Sequence, residues 1–207
     1  FGNGGERVVL RDAFGNVIHD FEYSDEWYPA TDGGGYSLVI RDEGADVSAW
    51  GNVLGWGISG EIGGNPGSDN SVFSIEFESW RRGHFYEDEL AEPAISAPGA
   101  TRTGDPTPNI LKYAFGFDPR AADPPFSLPS AGVVDVRLQL YFRRVRIAVD
   151  LVLFAESSPD LLKWLPMTEM VGVPLDHGDG TETVRFAESD PGAIRNFARV
   201  RVELSAP

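Results

Sequence analysis

The sequence predicts an all-β protein of two β-sandwich modules, the first incomplete, joined by a short helical segment. Three observations predict it. Alternating apolar and polar residues recur in residues 6–23 and again after residue 133. Turn signals rich in Gly, Asp and Pro separate these runs about every ten residues, the spacing of a sandwich. Between residues 99 and 119 the pattern changes to that of a helix with its own start and stop.

The first module opens with ERVVLR (6–11) and NVIHDFEY (16–23), joined by DAFGN, whose Gly15-Asn16 pair suits a tight turn. In the second run Val17, His19, Phe21 and Tyr23 share one face and Asp20 and Glu22 the other. His19 therefore points where apolar residues point, with no second His and no acid at metal spacing, and reads as a packed, hydrogen-bonded structural histidine. Asp32–Gly35 is a turn, after which Tyr36, Leu38 and Ile40 alternate as a strand. Trp50 and Trp56, set among glycines, read as aromatic lids on a β core. Gly55-x-Gly57-x-x-Gly60 matches the dinucleotide fingerprint in letters only. EIGGNPG follows it, and that stretch cannot form the helix whose N-terminus would face a pyrophosphate.

Residues 73–92 change period. Phe73, Phe77, Trp80 and His84 fall at helical spacing with Glu87, Asp88 and Glu89 outside, so a short amphipathic helix is expected, with Arg81 and Arg82 on a solvated, paired face. A second helix is expected over 108–115. Thr107 suits the N-cap, Pro108 the first helical position, and Gly116 with Pro119 the stop, which buries Ile110, Leu111, Ala114 and Phe115.

Beyond the joint, 133–144 reads as one strand with Val134, Val136, Leu138, Leu140 and Phe142 on one face. The segments 146–157, 160–164, 181–187 and 196–204 complete five or six strands. Trp164, after Leu161 and Leu162, is expected to pack over the core. Asp176, His177 and Asp179 in DHGDGT read as a β-turn rather than a metal site.

Composition bounds the function. The 207 residues carry a formal net charge of −15, and the only lysines are Lys112 and Lys163. Such a field repels phosphate backbones and anionic lipid, which argues against nucleic-acid and membrane-surface partners. The absence of cysteine removes disulfides, thiol catalysis and Cys-type zinc sites. No apolar run approaches membrane-spanning length and no signal peptide opens the chain. The chain is therefore expected to be a fragment whose targeting signal lies upstream of Phe1. His19, His84 and His177 lie in three different segments, and no G-x-S-x-G elbow, H-E-x-x-H or P-loop occurs. The expectation is no enzyme: no catalytic residue, no cofactor-binding residue and no metal ligand.

The stretch GATRTGDPTPNILKYAFGFDP resembles the DPDGDGxxNLLEYAxGxDP hinge before the C-terminal β module of secreted proteins of the Verrucomicrobia and Planctomycetes, through Asn109, Leu111, Tyr113, Ala114, Gly116, Asp118 and Pro119. GERVVLRDAFGNVIHDFEY, DGGGYSLVIRD, the isolated Trp50 and GGNPGSDN resemble the second half of a bacterial lamin-tail domain, an immunoglobulin-like sandwich. YFRR, ESSPDLLKW, DHGDGTETVRF and NFARVRVEL resemble the terminal module of the same secreted proteins. The resemblance implies two immunoglobulin-like modules: a partial lamin-tail module at 1–72, a helical joint at 73–120 and a C-terminal sandwich at 121–207. It also implies a calcium loop. Here, however, Thr101, Thr103 and Lys112 stand where the pattern has acidic ligands, which leaves Asp105 alone, so no strong calcium site is expected and Lys112 is expected to pair with a nearby acid.

The function these readings imply is a non-catalytic extracellular module for adhesion, spacing or surface display, with a protein or polysaccharide partner that the sequence does not identify. One alternative is the accessory tail of an upstream extracellular nuclease, phosphatase or spore-coat-H-type kinase. Another is a carbohydrate-binding module that uses Trp27, Trp50 or Trp56 as stacking platforms.

Overall fold

In the computed structural model the chain is mostly β, 35% strand against 21% helix, with several small antiparallel sheets and a short helical segment between strand regions. The structure describes residues 4–64, 66–67, 76–102, 104–123, 128–146, 148–177, 180–189 and 197–205. The chain divides into two compact units, Phe1–Ala100 with Gly178–Gly180, and Thr101–His177 with Thr181–Pro207.

In the first unit β1 (Glu6–Arg11) and β2 (Val17–Tyr23) pair antiparallel, with Val8 opposite Phe21 and Leu10 opposite His19. Their turn is organised by Asp12, whose Oδ1 accepts the amides of Phe14 and Asn16 at 2.9 Å each. A second pair, β3 (Leu38–Ile40) with β4 (Trp56–Ile58), is shorter than the alternation of Tyr36, Leu38 and Ile40 suggests. Tyr36 lies outside the ladder because its amide donates to the Ala30 carbonyl at 3.3 Å instead. Between the pairs run 3₁₀ turns at Asp25–Trp27, Pro29–Thr31, Val47–Gly51 and Val53–Gly55. Ser24, Asp46 and Asn52 each accept the amide two residues on, so short polar side chains set where three of these turns begin. Gly57 lies within β4, and after Ile58 the chain turns, so among the described residues no helix follows the glycine pattern directly.

α1 (Phe77–His84) buries Phe77, Trp80 and His84 as its spacing predicts, and Gly83 besides, while Phe73 lies outside the described residues. Gly83 is needed for close approach: a Cβ there would lie 2.8 Å from Cδ1 of Tyr28. α2 (Glu87–Leu90) and α3 (Pro93–Ser96) follow. Arg81 does more than sit on a solvated face. Besides its ion pair with Glu78 at 2.9 Å, it donates to the Leu90 carbonyl at 3.2 Å and to Ser96 Oγ at 2.9 Å, tying the three short helices together. Arg82 is the solvated one, 3.6 Å from Glu78.

The second unit begins with α4 (Asn109–Phe115). The helix starts one residue later than predicted, with Pro108 at the N-cap. Thr107 does not cap it, because its hydroxyl donates to Asp123. Gly116 ends the helix at φ 73°, and the Phe117 amide donates back to Lys112 O at 2.8 Å. Ala114 and Phe115 are buried as predicted, but so are Lys112 and Tyr113.

Among the described residues eight strands follow: β5 (Ser130–Val134), β6 (Arg137–Val145), β7 (Leu151–Ser158), β8 (Leu165–Pro166), β9 (Glu169–Met170), β10 (Leu175–Asp176), β11 (Thr181–Ala187) and β12 (Phe197–Leu204). One sheet has the order β10-β11-β6-β5, with β9 also on β11, and the other has the order β12-β7-β8. Leu140, Phe142 and Val184 of the first sheet, Ala155 of the second, and Ala114, Phe115, Phe117 and Met167 form one buried cluster, with Val200 and Val202 of β12 packed against it. At about 1.5–3 kcal/mol for each large apolar side chain, this shared core is what holds the sheets and α4 together.

Two expected strands are corrected. The 133–144 run is a hairpin, β5 to β6, turning at Asp135 (φ 49°) and Val136 (φ 63°). Residues 160–164 are a turn, because Asp160 Oδ1 accepts the amides of Leu162 and Lys163 at 2.9 and 3.0 Å. Trp164 therefore does not join the core. It is half-buried, with the Arg199 guanidinium 4.0 Å over its ring.

Candidate functional site

The first unit contains an open cleft of about 620 Å³, with Phe21, Tyr23, Tyr36 and Trp56 among its walls and Asp25 and Asp32 among its polar lining. Each part is placed by a local rule. The two-residue period of β2 puts His19, Phe21 and Tyr23 on one face. Phe21 then packs 5.4 Å from Trp50 and 5.6 Å from Trp56, centroid to centroid, and these two tryptophans meet edge-on at 5.6 Å. Trp56 is fixed further by its ring N–H, which donates to Trp50 O at 2.8 Å.

Beneath this cluster lies Tyr28, 3% exposed, with its hydroxyl 3.0 Å from Val53 O and 2.9 Å from Trp56 O. Burial pushes the Tyr28 phenol above its ordinary range, so it stays a neutral donor to these carbonyls. Ser24, as a cap, sets Asp25 in the first turn of the next 3₁₀ segment. Asp32 follows the Pro29–Thr31 turn at the head of the glycine run. Gly34 lets that run fold back: a Cβ there would lie 2.5 Å from Ala30 O.

The cleft carries free chemistry. Among the described residues neither the carboxylate of Asp25 or Asp32 nor the phenol of Tyr23 or Tyr36 takes part in a hydrogen bond or ion pair. Burial, aided by the charges of Glu6 and Asp25, holds the Tyr23 phenol above its ordinary range. Among the described residues the lining contains no Lys, Arg or His.

The predicted histidine roles divide. His19 is packed, stacked 4.4 Å from Trp50, but it is not hydrogen-bonded at Nδ1, which is buried without a partner, as is Trp50 Nε1. His84 is buried in a second aromatic cluster with Trp80 and Tyr28, with Nδ1 2.8 Å from Trp80 O. His177 is exposed and meets Thr183 Oγ1 at 2.8 Å through Nε2, while Asp176 pairs with Arg146. Asp179 lies outside the described residues. Among the described residues no group of three or more His, Asp or Glu is arranged to hold a metal ion.

The joint is the other place where oxygens converge, and a lysine fills it. Lys112 is 1% exposed, with Nζ 2.5 Å from Asp105 Oδ2, 3.2 Å from Asp123 Oδ1, 2.9 Å from Ala121 O and 3.4 Å from Asp118 O. The pairing expected for Lys112 is thus present, with two acids. The residues do not fit a calcium ion, since an ammonium already sits at the centre of the oxygens a cation would need. Thr101 is exposed and no ligand of that centre, and Thr103 lies outside the described residues.

The cleft acids were missed in the sequence, although a signal existed. Between Arg11 and Arg41 there is no lysine or arginine, while Asp25 and Asp32 fall in that gap with Phe21, Tyr23 and Tyr36. No family model, no curated protein and no solved structure matches the chain.

Proposed function

We propose that this chain is a non-catalytic interaction module of an extracellular protein, made of a partial lamin-tail-like β unit and a C-terminal immunoglobulin-like β-sandwich. The observation that carries the proposal is the aromatic cleft whose carboxylates and phenols have no hydrogen-bond or ion-pair partner among the described residues. Buried polar groups in folded proteins find partners, and exposed ones grouped on aromatic walls in a volume of about 300–1,000 Å³ are the usual make-up of a ligand site. The sandwich reading of the second unit is supported by two antiparallel sheets around one apolar cluster. An extracellular setting is supported by the acidity and the resemblance. Among the described residues no helix is long and apolar enough to cross a membrane.

A non-catalytic role is supported by the cleft's composition. Asp32 is exposed and Asp25 half-buried, so neither has the apolar surroundings that make a carboxyl a general acid. The histidines are held in aromatic stacks or on an exposed hairpin, away from the cleft lining. The test is a ligand panel of peptides and oligosaccharides, read by tryptophan fluorescence and thermal shift on the full chain and on Tyr36→Ala. The expected outcome is a saturable response with one ligand class that Tyr36→Ala abolishes. Turnover of any panel member that disappears in Asp25→Asn/Asp32→Asn would overturn the non-catalytic reading.

A further inference from the structure

We propose that the cleft of the first unit takes a cationic ligand, an arginine or lysine side chain presented by a basic peptide segment of a partner protein. The proposal rests on the reading of the cleft as an interaction site and names its ligand class. Its physical basis is a charge imbalance that the fold leaves uncompensated at that place. Residues 1–100 hold 18 of the 32 acidic residues but only five of the 17 basic ones.

Each of those five arginines is already engaged. Arg7 binds Asp20 through Nε at 2.6 Å, and Arg11 donates to Gly15 O at 3.0 Å. Arg41 donates to Trp56 O at 2.5 Å, and Arg81 and Arg82 both face Glu78. None reaches Asp25 or Asp32. The second unit behaves differently, with its charges nearly balanced and several acids held by arginines: Glu156 by Arg199 and Arg201, Glu182 by Arg144, Glu169 by Arg137. The cleft carboxylates thus have no cation of their own among the described residues.

Donor and acceptor counting gives the same answer. Carboxylates only accept, no Lys, Arg, His, Asn or Gln donates from the lining among the described residues, and the Trp56 ring N–H is already given to Trp50 O, so the free side-chain donors there are hydroxyls alone. Guanidinium and ammonium groups only donate, and they gain further from aromatic faces within about 6 Å. A neutral sugar would need donors as well as acceptors and would leave both charges uncompensated. Trp56 on the wall nonetheless makes sugar stacking the outcome to test against.

The experiment uses the full chain and a capped Gly-Arg-Gly-Arg-Gly peptide, with its citrulline analogue as the isosteric neutral control, titrated by calorimetry and tryptophan fluorescence at physiological salt. Asp25→Asn/Asp32→Asn removes the cleft charges. Glu43→Gln/Glu87→Gln removes the same charge from exposed positions outside the lining. Circular dichroism establishes that both variants remain folded. The expected result is binding of the arginine peptide only, weakened about tenfold or more by the cleft pair and less than about twofold by the control pair. Equal weakening by both pairs, or equal binding of the citrulline peptide, would overturn the proposal by showing diffuse attraction or charge-blind contact. A response to oligosaccharides but not to the arginine peptide would overturn the cationic class and leave the interaction reading intact. A response to neither would sink both.

Discussion

Nζ of Lys112 lies 2.5 Å from Oδ2 of Asp105 with the lysine side chain 1% exposed, and Asp123 closes the other side at 3.2 Å. An ammonium so far from water is tolerable only because two carboxylates and two carbonyls surround it. Lys112→Met keeps the stem but strands two half-buried acids, so it should destabilise by up to about 3–5 kcal/mol in chemical denaturation. Calcium should not stabilise the unaltered chain, because its ammonium occupies the centre. A micromolar calcium heat from the unaltered protein, lost in Asp105→Ala, would show that the lysine is displaceable.

The same pair makes stability depend on acid. The Lys112 hydrogen bond, helped by the Thr107 amide, holds the Asp105 carboxyl below its ordinary value of 3.8. A depressed folded value means that the contribution is complete above the unfolded value and is lost as pH falls through the folded one. The unaltered chain should therefore lose this contribution only below about pH 4, while Asp105→Asn lacks it at every pH. Melting temperature against pH decides the matter: profiles that stay parallel down to strong acid would show the pair contributes nothing pH-dependent.

Val136 sits at φ 63° and Asp135 at φ 49°, both left-handed, in the two-residue connection of β5 and β6. Such a hairpin turn suits Asn-Gly or Asp-Gly, and a β-branched residue there stores about 1–3 kcal/mol. Val136 is 79% exposed, so little packing offsets that strain. Val136→Gly should raise stability by about 1 kcal/mol, measured as a higher denaturation midpoint at unchanged slope. A loss of stability would mean that the valine's contacts outweigh its backbone strain.

This turn also explains where the sequence could be read and where it could not. β1, β2, β11 and β12 fall almost where alternation puts them, because each begins or ends at a Gly, Asp or Asn signal. The β5–β6 break is invisible, since Val134, Val136 and Leu138 keep the two-residue period straight through it. The pairing of Lys112 is legible, but its burial is not, because Asp123, the second acid that encloses it, is eleven residues on and only the folded loop brings it back. Of the cleft's aromatic wall only Trp56 is legible, as a lid over a β core. The cleft's acidic half depends on two 3₁₀ turns that no periodicity announces.

Trp164 tests the difference between a core ring and a surface ring. It lies half-buried under Arg199 at 4.0 Å, outside the cluster that contains Phe115 and Leu140. Trp164→Ala should cost about 1 kcal/mol, mostly the cation–π contact, whereas Leu140→Ala, at 2% exposure, should cost about 2–5. Equal losses in urea titrations of the two variants would place Trp164 in the core after all.

The β1–β2 hairpin is the place where association should begin. It is a two-stranded sheet, so among the described residues both of its outer edges lack a ladder partner. Near its tip Leu10 is 50%, Val17 49%, Ile18 49% and Phe14 92% exposed. Unpaired edges beside apolar side chains are a template for strand addition, and a charge on such an edge is the usual protection. The net charge of −15 slows encounter between copies at low salt, but screening removes that protection beyond about 10 Å at 0.1 M. Self-association should therefore rise with salt and fall in Phe14→Ser/Ile18→Lys, while the melting temperature changes little because neither residue is buried. Light scattering against salt concentration for the two proteins is the measurement. If the variant associates as readily as the unaltered chain, the sticky surface lies elsewhere and the hairpin edge is harmless.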